Sequence, residues 1–359
     1  MISTLTHPAP KPRLHSLDYL RGLSALGIMV YHYTTWTWGE LAPSSFLGRV
    51  GIYGVAIFYV LSGITLSYIY ASHLTLSKED LLDFYTKRFF RIFPLLWLAT
   101  IISILLSKHV PKILDVLLNL TGLFGLVKWN SYFATGAWSI GNELTFYLAF
   151  PLLVFLIKKG KSGVLAALGF PVLLFLYFAF YSMQTGQPLG DQWHIYTNPL
   201  NQLALFAAGV VLGSFVNPAS TQTRRSLLAG IVGLCLFTLV PVVGSSSTLV
   251  TGSTRVLLSI SCILLGYSFF RTARLPVYLG KPLALLGQAS YSLYLLHPIV
   301  YALGKAVFAT LHKISNTNNI FMNKNLLFSS QVLASLIISY FSYFYFERYF
   351  IRVGHRSKQ

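Results

Sequence analysis

The first apolar stretch of the chain carries two ionisable residues at a helical spacing. Arg21 and His32 are 11 residues apart, which is about 16 Å along an α-helix and three turns plus about 20° around it. The two side chains therefore share one face of a helix. A histidine so placed can act as a general acid or base. The pattern also fits an arginine that snorkels to lipid headgroups and a histidine that caps a packed interface.

A cluster of basic residues, Lys87, Arg88 and Arg91, stands at the start of the third apolar stretch. Arg88 and Arg91 are three residues apart and are therefore neighbours on a helix surface, with Lys87 beside them. Guanidinium groups bind phosphates in a bidentate geometry. We therefore predict a phosphate-binding cluster, with ordinary anchoring to lipid headgroups as the alternative.

Glu143 is a carboxylate placed well inside the fourth apolar stretch. An ionisable group in a bilayer is costly unless it has a partner, so we expect a basic neighbour. His32, predicted at a comparable depth, is the most economical partner. A structural pair of Glu143 with Asn142 or Trp138 is the alternative.

A polar stripe follows near the end of the chain. Ser290, Tyr294, His297 and Tyr301 have the spacing i, i+4, i+7 and i+11, which places them along one helix face. Such a stripe either lines a cavity or holds helices together through hydrogen bonds, and the sequence supports both interpretations.

The composition defines the elements that must position these residues. Of 359 residues, 55% are hydrophobic and 10% are charged, and the mean hydropathy is +0.63. Soluble domains carry roughly 25% charged residues, so a water-soluble globular protein is excluded. We predict an all-α, polytopic integral membrane protein. The formal charge of +18 does not require nucleic acid as a partner, because basic residues collect in the cytoplasmic loops of membrane proteins.

Ten apolar runs predict about ten transmembrane helices. They cover residues 17–36, 50–70, 89–107, 138–157, 164–181, 200–216, 227–243, 256–270, 283–308 and 326–350. The run 113–127 is short and interrupted by Asn119 and Gly122, which favours a re-entrant or interfacial segment.

The distribution of basic residues predicts the orientation. Most of the 27 lysines and arginines fall on one side when both termini are in the cytoplasm. We expect polar cytoplasmic tails at 1–16 and 351–359, and a single transmembrane domain over residues 1–359. The predicted location is the cell (inner) membrane, with membrane lipids as partners.

Together, these motifs resemble the acyltransferase 3 family of bacterial membrane O-acyltransferases, from about Leu14 to Phe350. We expect the stand-alone type, without the hydrolase-like domain that some members carry. The resemblance rests on Arg21 with His32, on the segment 58–63, on Arg88 with Arg91, on Trp138, Ser139, Glu143, Phe146 and Tyr147, and on the segment 290–294 with His297.

The resemblance implies a ten-helix enzyme that transfers an acyl group, most often acetyl, from cytoplasmic acyl-CoA to a glycan or lipid-linked acceptor. In the family, the arginine and histidine of the first span are required for activity. The Arg-x-x-Arg pair is associated with the CoA side. These roles carry over to Arg21, His32, Arg88 and Arg91.

Acyl transfer from a thioester indicates roles for the remaining candidates. His32 serves as general base or acyl carrier, and Glu143 orients its second ring nitrogen. Lys87 and Arg21 assist in binding the CoA phosphates. We expect acyl-CoA as a co-substrate, and neither a bound cofactor nor a metal. The candidates for oxyanion donors or acceptor contacts are Asn142, Ser290, Tyr294 and His297.

A function from a different class also fits these residues. A transporter or flippase for a lipid-linked sugar would carry out no acyl chemistry, yet would use polar stripes and a carboxylate near the membrane midplane. The absence of inverted repeats and the placement of the paired arginines at one face of the membrane favour the enzyme.

Overall fold

The computed structural model of the chain describes residues 13–107, 110–218, 224–272, 275–315 and 323–356. Residues 1–12 and 357–359 of the predicted tails lie outside these ranges. Within the described residues, regular structure is helical: α1 (His15–Trp38), α2 (Phe46–Tyr70), α3 (Lys78–Leu106), α4 (Ile113–Thr121), α5 (Phe124–Val127), α6 (Ala137–Lys158), α7 (Lys161–Tyr177), α8 (Trp193–Tyr196), α9 (Pro199–Phe215), α10 (Arg224–Leu239), α11 (Gly252–Phe270), α12 (Val277–Gln288), α13 (Ser290–Ser315), α14 (Lys324–Phe341) and α15 (Arg348–Arg356).

Short turns of other helix types join these elements. A π-helical turn (Phe178–Ser182) extends α7, another (Ser342–Glu347) joins α14 to α15, and a 3-10 turn (Ser246–Val250) precedes α11. Eight of the described helical segments are long and apolar enough to cross a membrane. The predicted all-α polytopic fold is therefore confirmed.

Two of the predicted spans differ from those eight segments. Helix α1 carries Asp18, Arg21 and His32 and is not among them, and α10 has 16 residues. The predicted span 283–308 began too early, because α12 ends at Gln288 and α13 begins at Ser290. The run 113–127 forms α4 and α5, which are 9 and 4 residues long and therefore too short to span.

Side-chain caps fix where several helices begin. Ser45 accepts a hydrogen bond from the backbone N–H of Gly48 at the start of α2, and Ser77 does the same for Asp80 at the start of α3. Asn198 caps α9, with Pro199 as its first residue. These are the residue types that satisfy the free N–H groups of a first helical turn.

Helix α2 lies at the centre of the bundle and packs against α1, α9 and α11. Its contact with α9 is close because glycines face each other there. A Cβ on Gly209 would overlap the carbonyl oxygen of Val60 and lie 3.1 Å from the Cα of Gly63. On the outside of the bundle, large apolar side chains such as Leu105 and Leu173 are exposed, as expected for a surface that lipid covers.

The glycine contact gives a stability prediction. Gly209→Ala should destabilise the protein by about 1–3 kcal/mol, because the new methyl group forces α2 and α9 apart. Gly169→Ala is the matched control, since its Cβ would meet no atom within 4 Å, and we expect it to stabilise α7 by about 0.5–1 kcal/mol. Thermal unfolding in detergent measures both. Equal melting temperatures for the two variants would contradict the close packing of α2 on α9.

Candidate active site

Three arginines from different parts of the fold line one cavity, which we call the arginine cavity. Arg21 comes from α1, and Arg88 and Arg91 come from α3. Its empty volume is about 890 Å³ including its open mouth. We call the end of the bundle at which α1 begins the basic end, because these arginines lie toward it. The other lining residues are Val55, Phe58, Tyr59, Ser62, Thr65, Leu66, Ile69, Ile92, Ser139, Ile140, Glu143, Tyr147, Ser290, Tyr291 and Tyr294.

Arg21 and Arg88 each donate a hydrogen bond to a neutral hydroxyl group, and Arg21 also lies near one carboxylate. Arg21 donates to Thr65 Oγ1 at 3.4 Å, and its Nη1 lies 3.9 Å from the carboxylate of Asp18. Arg88 donates to the hydroxyl of Tyr70 at 3.4 Å, and its buried Nε has no partner in the described residues. Guanidinium groups that keep donors without strong partners can bind a polyanion through charge-assisted hydrogen bonds.

Glu143 belongs to the arginine cavity and not to the surroundings of His32. Its carboxylate accepts hydrogen bonds from Ser62 at 2.9 Å and from the hydroxyl of Tyr147. The expected pairing of Glu143 with His32 was therefore wrong. The reason is that α6 begins inside the bundle at Gly136, whose carbonyl accepts from Tyr294. Seven residues later the chain is about 10 Å nearer the basic end.

His32 lines a second cavity, which we call the histidine cavity, of about 620 Å³ including its mouth. It lies toward the end of the bundle at which α1 ends. Six aromatic side chains line the histidine cavity, namely those of Trp36, Tyr132, Trp138, Trp193, Tyr196 and Tyr294. The other lining residues are Ile28, Gly51, Ile52, Val55, Thr135 and Gly136.

The partner of His32 is a second histidine. His32 Nδ1 lies 3.0 Å from His297 Nε2, and His297 Nδ1 lies 3.0 Å from the carbonyl oxygen of Leu293. A carbonyl oxygen only accepts, so His297 Nδ1 carries the proton, and Nε2 of the neutral ring is an acceptor. His32 Nδ1 therefore donates to His297. In neutral His32, Nε2 keeps a free lone pair and has no partner among the described residues.

The pair of histidines is held in place by its surroundings. The Trp36 ring stacks on His297 with the ring centroids 6.0 Å apart. The hydroxyl of Tyr33 donates to the carbonyl oxygen of His297 at 2.7 Å, and Tyr301 shares a hydrogen bond with Thr37 at 2.9 Å. The polar stripe of α13 therefore has both of the predicted roles, lining a cavity and holding helices together. Ser290 and Tyr294 line cavities, whereas His297 and Tyr301 hold α1.

Two predicted site residues line neither cavity. Lys87 forms an ion pair with Asp83 at 2.7 Å and does not line the arginine cavity. Asn142 donates to the hydroxyl of Tyr59 at 3.2 Å and lines neither cavity. Each is one residue away from a cavity residue, and one residue turns a helix by about 100°. The structure therefore does not support the predicted contacts of Lys87 with phosphates and of Asn142 with an acceptor.

The sequence interpretation gave no role to several residues that build the site. Ser62 and Tyr147 hold Glu143, and both belong to the motifs that carry the family resemblance, which was the available signal. Val55 borders both cavities and had no signal, because an apolar residue in an apolar helix resembles its neighbours.

Comparisons with known proteins identify the family of the chain. A family model described as an acyltransferase domain, of the acyltransferase 3 type, matches residues 14–345. The O-acetyltransferase OatA of Staphylococcus aureus (strain NCTC 8325 / PS 47) is 24% identical over 324 residues, which cover 80% of this chain and 50% of that protein. The peptidoglycan O-acetyltransferase OatA of Listeria monocytogenes is 24% identical over 316 residues, covering 79% of this chain and 49% of that protein.

A third relative is the acyltransferase MdmB of Streptomyces mycarofaciens, which is 26% identical over 226 residues and is covered to 57% of its length. The matched region covers 56% of this chain. The chain thus spans about half the length of the OatA proteins. No solved structure matches it.

Proposed function

Because the chain belongs to the acyltransferase 3 family, we propose that it transfers an acetyl group from cytoplasmic acetyl-CoA to a hydroxyl group of a glycan or lipid-linked acceptor. One observation carries the proposal. A cavity with three arginines adjoins a cavity with a hydrogen-bonded histidine and six aromatic rings. The first suits a polyanionic donor, and the second suits a hydroxyl acceptor. The family predicted from the motifs is confirmed.

The basic end faces the cytoplasm in this proposal, and the membrane is the bacterial inner membrane. Basic residues concentrate on the cytoplasmic side of membrane proteins, and acyl-CoA is available there. Arg21, Arg88 and Arg91 bind the phosphates of CoA, while its flexible arm extends into the cavity. Glu143 acts on this donor side, where it offsets part of the charge of the guanidinium groups.

His32 performs the transfer through Nε2, and His297 is its positioning residue. In one route, Nε2 takes the proton of the acceptor hydroxyl while the hydroxyl oxygen bonds to the thioester carbon. The thiolate of CoA then leaves. In the other, Nε2 attacks the thioester carbon and the C–S bond breaks. The acceptor oxygen then displaces the imidazole from the acyl group, and the released Nε2 takes the proton of the acceptor hydroxyl. Both routes need the tautomer that the hydrogen bond to His297 selects.

The aromatic lining of the histidine cavity supports a sugar as acceptor. Trp138, Trp193 and Tyr196 contact one another with centroids 5.4–5.6 Å apart, and Trp193 donates to the hydroxyl of Tyr132 at 2.8 Å. These rings face a cavity, where they can pack against sugar faces. The similarity to a peptidoglycan O-acetyltransferase supports the same class of acceptor. The flippase alternative has less support, because the relatives reported above are acyltransferases.

Binding of CoA tests the donor side of the proposal. Free CoA at 100 times its Kd should stabilise the purified protein by about 2.7 kcal/mol, measured as a rise in the melting temperature. Arg88→Ala should lose most of this rise, because Arg88 lines the arginine cavity. Lys87→Ala is the matched control and should keep it, since Lys87 pairs with Asp83. Each variant is compared with its own ligand-free melting temperature.

Two outcomes would contradict the assignment of the donor site. One is the absence of any CoA-dependent rise in the unaltered protein. The other is an equal loss in Lys87→Ala and Arg88→Ala, which would indicate that the basic end binds CoA as an unspecific charged surface.

A further inference from the structure

The arginine cavity and the histidine cavity share two lining residues, Val55 on α2 and Tyr294 on α13. Each of the other lining residues borders only one of the two cavities. The two side chains are 5% exposed each. The two side chains therefore form the wall between the arginine cavity and the histidine cavity.

One side of this wall is fixed by hydrogen bonds. The hydroxyl of Tyr294 donates to the carbonyl oxygen of Gly136 at 3.0 Å and accepts from Ser139 at 2.8 Å. Phe58 packs edge-on against its ring with the centroids 5.9 Å apart. Gly136 has φ +86°, and a Cβ there would lie 3.1 Å from the Tyr294 hydroxyl. The position of the phenol ring is therefore set by the backbone where α6 begins.

The other side of the wall has no such hydrogen bonds. The Val55 side chain is two methyl groups on a β-branched carbon and carries no polar atom. The width of the passage therefore depends on the volume of the residue at position 55. Val60, five residues further along α2, lines neither cavity and packs toward α9 and α11.

We propose that Val55 and Tyr294 form the passage for the acyl group and that Val55 restricts transfer to short acyl chains. This inference rests on the proposed function, in which the donor lies on the arginine side and the acceptor hydroxyl on the histidine side. An acetyl group presents one methyl group to the passage. Each further methylene of a longer acyl chain must fit between the Val55 methyls and the Tyr294 ring, and close-packed walls discriminate at the level of single methylenes.

The inference predicts opposite effects of smaller and larger residues at position 55. Val55→Ala should raise the ratio of butyryl to acetyl transfer by about 10- to 100-fold, within the range that one or two methylenes contribute in an enzyme pocket. Val55→Phe should lower acetyl transfer by about 10-fold or more, while the CoA-dependent rise in melting temperature is retained. Inside-out membrane vesicles supplied with acetyl-CoA or butyryl-CoA provide the assay, with release of free CoA as the readout.

Val60→Ala is the matched control, because it removes the same atoms from the same helix away from the passage. It should lower stability without changing the butyryl to acetyl ratio. The proposed passage would be contradicted if the butyryl to acetyl ratio were unchanged in Val55→Ala, or if it changed equally in Val60→Ala. If the unaltered protein transferred no acyl group from either thioester, the proposed function itself would fall. The two failures are therefore distinguishable.

Discussion

His32→Ala is expected to reduce acyl transfer by about 10²- to 10⁴-fold, the range for removal of a positioned acid–base group. The effect is large because His32 Nε2 is the atom that takes the hydroxyl proton or carries the acyl group. Release of CoA by inside-out vesicles supplied with acetyl-CoA measures it. Glu143 is hydrogen-bonded to Ser62 and Tyr147, so the change removes no hydrogen bond of Glu143.

The control for His32→Ala is donor binding. The CoA-dependent rise in melting temperature should persist in this variant, because His32 does not line the arginine cavity. A variant that turned over acetyl-CoA at more than a tenth of the original rate would contradict the role of His32. A variant that lost CoA binding as well would show that the substitution had damaged the donor site.

Replacement of His297 should have the second largest effect. His297→Leu removes the acceptor for His32 Nδ1, so the tautomer with a free Nε2 is no longer selected and the ring is free to turn. Loss of an orienting partner reduces turnover by up to about 10⁴-fold in a well-studied catalytic triad, and we expect a loss of about 10²-fold or more here. The same assay of CoA release measures this loss.

His297→Gln distinguishes a positioning role from a structural one. The glutamine carbonyl can accept from His32 Nδ1, so this variant should recover at least a tenth of the original rate. Leucine at the same position should not recover it, although it fills the apolar surroundings better. Equal rates in the two variants would mean that His297 acts only through packing.

Helical periodicity and the order of the motifs predicted part of the site. Arg21, Arg88 and Arg91 were singled out as ionisable residues on apolar helices, and all three line one cavity in the structure. The all-α polytopic class followed from composition. The partner of Glu143 could not be predicted, because the depth of Glu143 in the bundle depends on where α6 begins. That position is fixed by Gly136 and Tyr294, which are 158 residues apart in the sequence.

Adjacent residues were the other limit of the sequence interpretation. Lys87 and Asn142 stand next to Arg88 and Glu143, and the motif gives both members of each pair the same apparent importance. The structure separates them by the rotation of about 100° between successive helix residues. His297 was recognised as part of a polar stripe, but its contact with His32 joins residues 265 positions apart, and no local pattern encodes that contact.

Mass spectrometry of surface glycans and lipids tests the central claim most directly. A strain that lacks the gene is complemented either with the unaltered protein or with His32→Ala. The account predicts that an acyl mass, most simply that of acetyl, disappears from one glycan or lipid on deletion and returns only with the unaltered protein. An unchanged acyl profile on deletion, or full restoration by His32→Ala, would contradict it.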